Sequence, residues 1–214
     1  MQNTLLVAAA VGVAAYLMGS VTFAILVTKL FTGKDIRTMG SGNAGMTNVL
    51  RSVGAPAAVL TAAGDILKGT GSVLLAKWAF AAFTGADPVY GAYIAAICAV
   101  AGHLFPIYFK FKGGKGVSVA AGSVAAIDPV LTLCLLGVFL LVVLTTRIVS
   151  LASITVAALY PVGTALYSWH LGRDILSTTL FAAAIGGAVI VMHRGNIKRL
   201  LNGTEYKFGQ KKKE

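Results

Sequence analysis

Three stretches of this chain carry residue types that together could handle an anion. The first, Gly102 to Gly116, reads GHLFPIYFKFKGGKG and passes from apolar sequence into a cluster of glycines and lysines. Gly113 and Gly114 give backbone amides room to approach an anion, and Lys112 and Lys115 add charge. A glycine turn with ordinary cytoplasmic lysines is the competing reading. The second stretch, GSGNAGMTN from Gly40 to Asn48, sets glycines among Ser41, Asn43, Thr47 and Asn48. That inventory can wrap an anion in neutral hydrogen bonds, and Arg51 adds a planar fork suited to phosphate oxygens. A plain turn between two membrane spans would use the same residues. The third is His193 with Asn196, three apart and on one side of a helix where an apolar run ends. An imidazole there can donate to phosphate or accept a proton near neutral pH.

Other polar residues read more quietly. Asp65 and Lys68 are one helical turn apart and fit an ion pair, with a structural role for Asp65. His103 fits either a buried histidine bonded to backbone or a catalytic one. GGKG is not a nucleotide P-loop. Gly116 follows Lys115 where Ser or Thr should stand, and Phe109 occupies the place of the upstream glycine, so ATP use is unsupported.

The elements that must position these residues are membrane spans. The 214 residues are 57% hydrophobic and 12% charged, with a mean hydropathy of +0.82, too little charge to coat a soluble domain. The net charge of +11 sits at the ends of apolar runs and not on one soluble face, which points to anionic lipid and anionic substrates, with no nucleic acid partner. Cys98 and Cys134 lie inside apolar runs and read as packing residues, with no metal site implied. Expected spans are Leu5 to Leu30, Pro56 to Phe83, Val89 to Phe109, the short Val117 to Ile127, Pro129 to Thr146, Ser150 to Ser168 and Ile175 to His193.

Lys29, Lys34, Arg37 and Arg51 after the first span place that end in the cytoplasm. Val117 to Ile127 covers only roughly 17 Å as a helix, yet it must cross, because otherwise Arg147 and the basic C-terminus would lie outside. The expectation is therefore a single all-α membrane domain over residues 1–214 with seven transmembrane helices, one of them short. Its N-terminus is outside and its C-terminus cytoplasmic, with Lys211 to Lys213 a solvated tail near anionic lipid. The polar residues then gather at the inner end while the outer halves stay apolar. A transporter needs polar residues running through the bilayer, and a non-catalytic scaffold leaves the gathering unexplained.

Taken together, Ser41 to Asn48 with Arg51, Gly102 to Pro106 leading to Lys112 to Gly116, and His193 to Leu200 closely resemble the motifs of the bacterial acyl-phosphate-dependent glycerol-3-phosphate acyltransferases, the PlsY family. The resemblance covers essentially the whole chain. It implies an enzyme of the bacterial cytoplasmic membrane whose site faces the cytoplasm. The reaction would move a fatty acyl group from acyl phosphate to glycerol 3-phosphate, giving lysophosphatidic acid and phosphate, without cofactor or metal. It also implies functional coupling to the enzyme that supplies acyl phosphate. The family's catalytic positions fall on Ser41, Lys115, His193 and Asn196. Binding positions fall on Arg51 and on a serine of the Ser150 to Ser153 turn, with Ser150 preferred over Ser153. Asn43, Thr47, Asn48, Lys112, Gly113 and Gly114 complete the expected substrate contacts. Gly195 stands where members often carry glutamate and Met192 where a basic residue is common, which bears on the charge balance of that corner.

Overall fold

The computed structural model describes residues 2–209; the basic tail at Lys211 to Lys213 lies outside them. Among the described residues every regular element is helical. Six stretches are long and apolar enough to cross a bilayer, and a seventh apolar helix is shorter. These are the seven segments expected from the sequence. Within the single domain expected there, the residues cluster into two compact units, one ending at Pro129 and the other starting at Val130.

In the first unit the expected opening span is two helices, α1 (Gln2–Ser20) and α2 (Phe23–Thr32). The ladder breaks at Val21 and Thr22, where Thr22 is extended at φ −95° and ψ 94°. Hydroxyls support the break: Ser20 Oγ donates to Tyr16 O at 2.8 Å and Thr22 Oγ1 to Ser20 O at 3.3 Å. The freed carbonyl of Val21 accepts from Lys68 Nζ at 2.6 Å. A kinked span has thus acquired the polar partner that a broken helix needs in lipid.

A short helix, α3 (Met46–Ser52), follows the first loop, then α4 (Ala55–Phe83), with Pro56 in its first turn, and α5 (Pro88–Leu104). The expected third span reaches Phe109 only by way of a 3-10 turn, Ile107–Phe109, because Phe105-Pro106 ends the helix at Leu104. α1 meets α5 backbone to backbone. A Cβ on Gly19 would sit 2.1 Å from Ala99 O, and one on Gly102 would sit 2.2 Å from Tyr16 O. Small residues of this kind drive helix association where lipid removes the hydrophobic incentive.

The short helix α6 (Val117–Ile127) has 11 residues. It lies against α4, where a Cβ on Gly122 would fall 2.1 Å from Ile66 O. Thr70 Oγ1 donates to Gly122 O at 2.9 Å and Lys77 Nζ to Ala126 O at 2.7 Å. The last carbonyls of a helix lack intrahelical partners, and Lys77 of α4 supplies one to Ala126 here. Lys77 thus caps α6 where the helix stops after 11 residues.

The second unit contains α7 (Pro129–Thr146), α8 (Val149–His170), α9 (Ile175–Met192) and α10 (Arg194–Leu201). α7 leaves Leu133, Leu141 and Leu144 exposed, as a lipid-facing span does. α8 and α9 close together at Gly186, where a Cβ would lie 2.3 Å from Ala157 O, and near their other ends Ser168 and Thr178 share a hydroxyl bond of 2.9 Å. Asp174 caps α9 by accepting from Leu176 N at 3.0 Å. His193 ends α9 and opens α10, so the expected seventh span stops where a separate amphipathic helix begins.

Candidate active site

In the first unit the Gly40 to Asn48 loop is built around one buried amide. Asn48 Oδ1 accepts from Ser41 N at 2.9 Å, while Nδ2 lies 3.2, 3.0 and 3.0 Å from the carbonyls of Ile36, Met39 and Asn43. Gly40 is left-handed at φ 54°, and a Cβ there would fall 2.3 Å from Asn48 Oδ1. The glycine thus permits both the turn and the close approach. Asn48 holds Ser41 and Asn43 in place, while Ser41 and Arg51 are exposed and Asn43 and Thr47 half-buried. Asn48→Leu is therefore expected to raise the KM for a phosphorylated substrate tenfold or more and to lower the thermal midpoint, since neutral buried hydrogen bonds contribute about 1 kcal/mol each. Activity assays paired with thermal unfolding check it.

A second tie joins this loop to the glycine cluster. Asp35 accepts from Arg37 Nη2 at 2.7 Å, and Arg37 Nη1 donates to Phe109 O at 2.8 Å. The guanidinium hydrogen bond holds the Asp35 carboxyl below its usual range, against the opposing effect of burial. The turn it grips contains Lys110 and Phe111, both left-handed at φ 57° although neither is glycine.

Gly113 and Gly114 run directly over His103. Gly114 N donates to His103 O at 3.1 Å, and a Cβ on Gly113 would fall 1.9 Å from that oxygen. A Cβ on Gly114 would meet His103 Nε2 at 2.3 Å and Ala44 O at 2.5 Å. The two glycine loops are therefore in contact. Lys112 is exposed and Lys115 half-buried. Beneath them, Asp65, Lys68 and His103 form a buried cluster in which Lys68 Nζ lies 2.9 Å from Asp65 Oδ1 and 3.0 Å from His103 Nδ1. The ion pair expected of Asp65 and Lys68 is present, and His103 is its third member.

In the second unit a carboxylate does what no residue near His193 suggested. Glu205 Oε1 accepts from Ser150 Oγ at 3.0 Å and from Asn196 Nδ2 at 2.8 Å, and Oε2 accepts from Arg199 Nε at 2.8 Å. Its side chain is only 7% exposed. Glu205 thereby brings Ser150 and Asn196 together. Ser153 Oγ instead bonds Val149 O of its own helix at 2.9 Å. His193 and Asn196 are both buried. His193 Nδ1 lies 2.7 Å from Val189 O. A carbonyl only accepts, so Nδ1 carries the proton and a neutral His193 has its lone pair on Nε2.

Arg37 and Glu205 are the residues that sequence reasoning passes over. Arg37 counts there only as an inner charge, and Glu205 sits among the lysines and arginines of the C-terminal segment. A lone carboxylate between Arg199 and Lys207 is the signal that could have marked it.

The sequence matches the family described as glycerol-3-phosphate acyltransferase over residues 9–203. The glycerol-3-phosphate acyltransferase of Clostridioides difficile (strain 630) is 46% identical over 202 residues, covering 94% of this chain and 96% of that one. That of Dechloromonas aromatica (strain RCB) is 45% identical, covering 94% and 96%. The crystal structure of PlsY (YgiH), an integral membrane glycerol 3-phosphate acyltransferase, in its glycerol 3-phosphate form superposes with a TM-score of 0.80 at 38% identity, covering 94% of this chain and 96% of that one. Its lysophosphatidic acid form gives 0.78 at 36% identity, covering 94% and 95%. With the matched family spanning nearly all of its length, this chain belongs to the PlsY family of integral membrane glycerol-3-phosphate acyltransferases.

Proposed function

We propose that this chain transfers a fatty acyl group from acyl phosphate to glycerol 3-phosphate, releasing lysophosphatidic acid and inorganic phosphate, as an early step of phospholipid synthesis. The observation that carries the reading is the contact between the Gly113–Gly114 segment and Ala44, which unites two glycine loops bearing Ser41, Lys112 and Lys115. Glycine loops with lysines suit tetrahedral dianions, and both substrates carry one. The relatives' names supply the acceptor, and the two forms of the similar crystal structure are named for that acceptor and for the lysolipid product.

The glycerol hydroxyl oxygen attacks the acyl carbonyl carbon, a new ester C–O bond forms, and the C–O bond to phosphate breaks with its electrons leaving on phosphate. Acyl phosphate is already activated, so neither ATP nor a covalent acyl-enzyme is required. Lys115, Lys112 and Arg51 hold phosphate charge. Ser41, Asn43, Thr47 and the amides at Gly113 supply neutral donors, Asn48 sets the loop that carries them, and Gly114 lets the loops meet. Ser150 and Asn196, joined through Glu205, orient the acceptor beside His193. The hydroxyl proton ends on phosphate, either directly or through Nε2 of His193. His193→Gln separates the two routes: passage through the imidazole predicts a loss of kcat of about 10²-fold or more and of the near-neutral limb of the pH profile. An unchanged profile with raised KM assigns His193 to binding.

The N-terminus lies outside and the C-terminus in the cytoplasm of a bacterium, with the loops on the cytoplasmic side, in keeping with Lys29, Lys34, Arg37 and Arg51. Acyl phosphate then arrives from the cytoplasmic enzyme that makes it. The deciding experiment gives purified protein labelled glycerol 3-phosphate with either acyl phosphate or acyl-CoA. Lysolipid from acyl phosphate alone is expected. Product from acyl-CoA alone overturns the donor, and uptake into sealed vesicles without product identifies a carrier.

A further inference from the structure

The buried cluster of Asp65, Lys68 and His103 has no part in the mechanism above, yet it lies directly under the glycine loop. An ion pair sunk this deep in a membrane protein is costly unless it performs a task. Lys68 Nζ donates to Val21 O at 2.6 Å, stands 3.0 Å from His103 Nδ1 in hydrogen-bond geometry, and is ion-paired with Asp65 Oδ1 at 2.9 Å. An ammonium cannot accept, so the contact with Nδ1 requires a lone pair there. Asp65 also approaches Nδ1, at 3.5 Å, but a proton placed on Nδ1 would meet the nearer Lys68 hydrogens head-on. The neutral ring therefore carries its proton on Nε2. That nitrogen faces Gly114, being 2.3 Å from where a Cβ would stand, and the same residue's carbonyl accepts from Gly114 N.

We infer that His103, oriented by Lys68 and Asp65 as its Nε2–H tautomer, is a positioning residue that sets the conformation of Gly113 to Lys115 and hence their grip on phosphate. His103 is 3% exposed and works through the loop, without contact to substrate. Lys68 is anchored at its far side by the break in the first span, so the height of the loop is referred to the α1–α2 junction through a chain of short polar contacts. This inference rests on the phosphate-binding reading of the loop, and its test does not require turnover.

The test uses full-length protein in detergent or nanodiscs, with glycerol 3-phosphate binding measured by calorimetry and the imidazoles read by nitrogen-15 NMR after histidine labelling. The expected wild-type signature for His103 is a protonated Nε2 and an unprotonated Nδ1. In the double variant Asp65→Asn/Lys68→Met, which removes both buried charges together, that preference is expected to be lost and glycerol 3-phosphate affinity to fall about tenfold or more. His103→Gln, whose amide reaches the Nε2 position, is expected to keep affinity within about threefold of wild type. His103→Asn, which reaches only the Nδ1 position, is expected to lose as much as the double variant. A wild-type His103 protonated on Nδ1 overturns the inference even if every variant fails to fold. So does wild-type affinity in folded His103→Asn. If wild type binds glycerol 3-phosphate with the expected tautomer but makes no lysolipid from acyl phosphate, the proposed reaction fails and the positioning role stands.

Discussion

Glu205→Leu is expected to reduce acyl transfer by two orders of magnitude or more and to lower the thermal midpoint by several degrees. Glu205 accepts from Ser150, Asn196 and Arg199, and its carboxylate is nearly inaccessible to solvent. Hydrogen bonds to a charged group contribute about 1.5–3 kcal/mol each, and a buried partner left unsatisfied costs a further amount of similar size. The Arg199 contact deserves a discount because that side chain is 47% exposed. Ser150 and Asn196 are buried, so they carry the effect. A displacement of about 1 Å in a group that orients substrate costs on the order of 10²-fold in rate. Glu205→Gln retains one carbonyl oxygen and should fall between leucine and wild type. Steady-state rates with acyl phosphate, alongside thermal unfolding in the same detergent, read both effects. A leucine variant with wild-type kcat and stability would remove Glu205 from the site.

Gly114→Ala should be nearly as damaging, for a steric reason. The added methyl would stand 2.3 Å from His103 Nε2 and 2.5 Å from Ala44 O, and the second neighbour is backbone that cannot swing aside. The loop must shift, and overpacking of this kind costs roughly 1–3 kcal/mol. Because Lys115 directly follows Gly114, the shift moves it as well, and the expected result is a KM for glycerol 3-phosphate raised at least tenfold, with folding retained. Gly137→Ala in α7 is the control. Nothing lies within 4 Å of its Cβ position, and alanine is the better helix former by about 1 kcal/mol. That variant should match wild type in turnover and equal or exceed it in stability. Equal kinetic parameters for Gly114→Ala and wild type would mean that the contact between the loops is unimportant.

These two cases also mark where the sequence is legible and where it is not. Apolar run length predicts the six long spans, because lipid imposes a length on a helix that crosses it, whereas the short helix from Val117 to Ile127 is legible only through the placement of Lys and Arg. The break at Val21 escapes notice, since Val and Thr are ordinary in an apolar run and the reason for the break, Lys68, lies 47 residues away. The end of the seventh span is blurred for a similar reason: His193-Arg194-Gly195 continues a helical pattern, and only the backbone turn at His193 separates α9 from α10. Site composition is legible in GSGNAGMTN and GGKG as a list of donors. Which donors are spent inside the protein is not, because the partners of Asn48 are backbone carbonyls that no motif records. Glu205 is the extreme case, a single carboxylate whose importance comes from three residues lying 6 to 55 positions away.

The bond between Lys68 and the Val21 carbonyl ties two liabilities into one. A straightened first helix would withdraw the carbonyl and take one acceptor from a buried ammonium, while a neutral residue at 68 would strand the carbonyl. Neither change is an improvement on its own, so the kink and the lysine are locked together. Descendants of this chain can abandon them jointly, but every single step between the two states runs uphill.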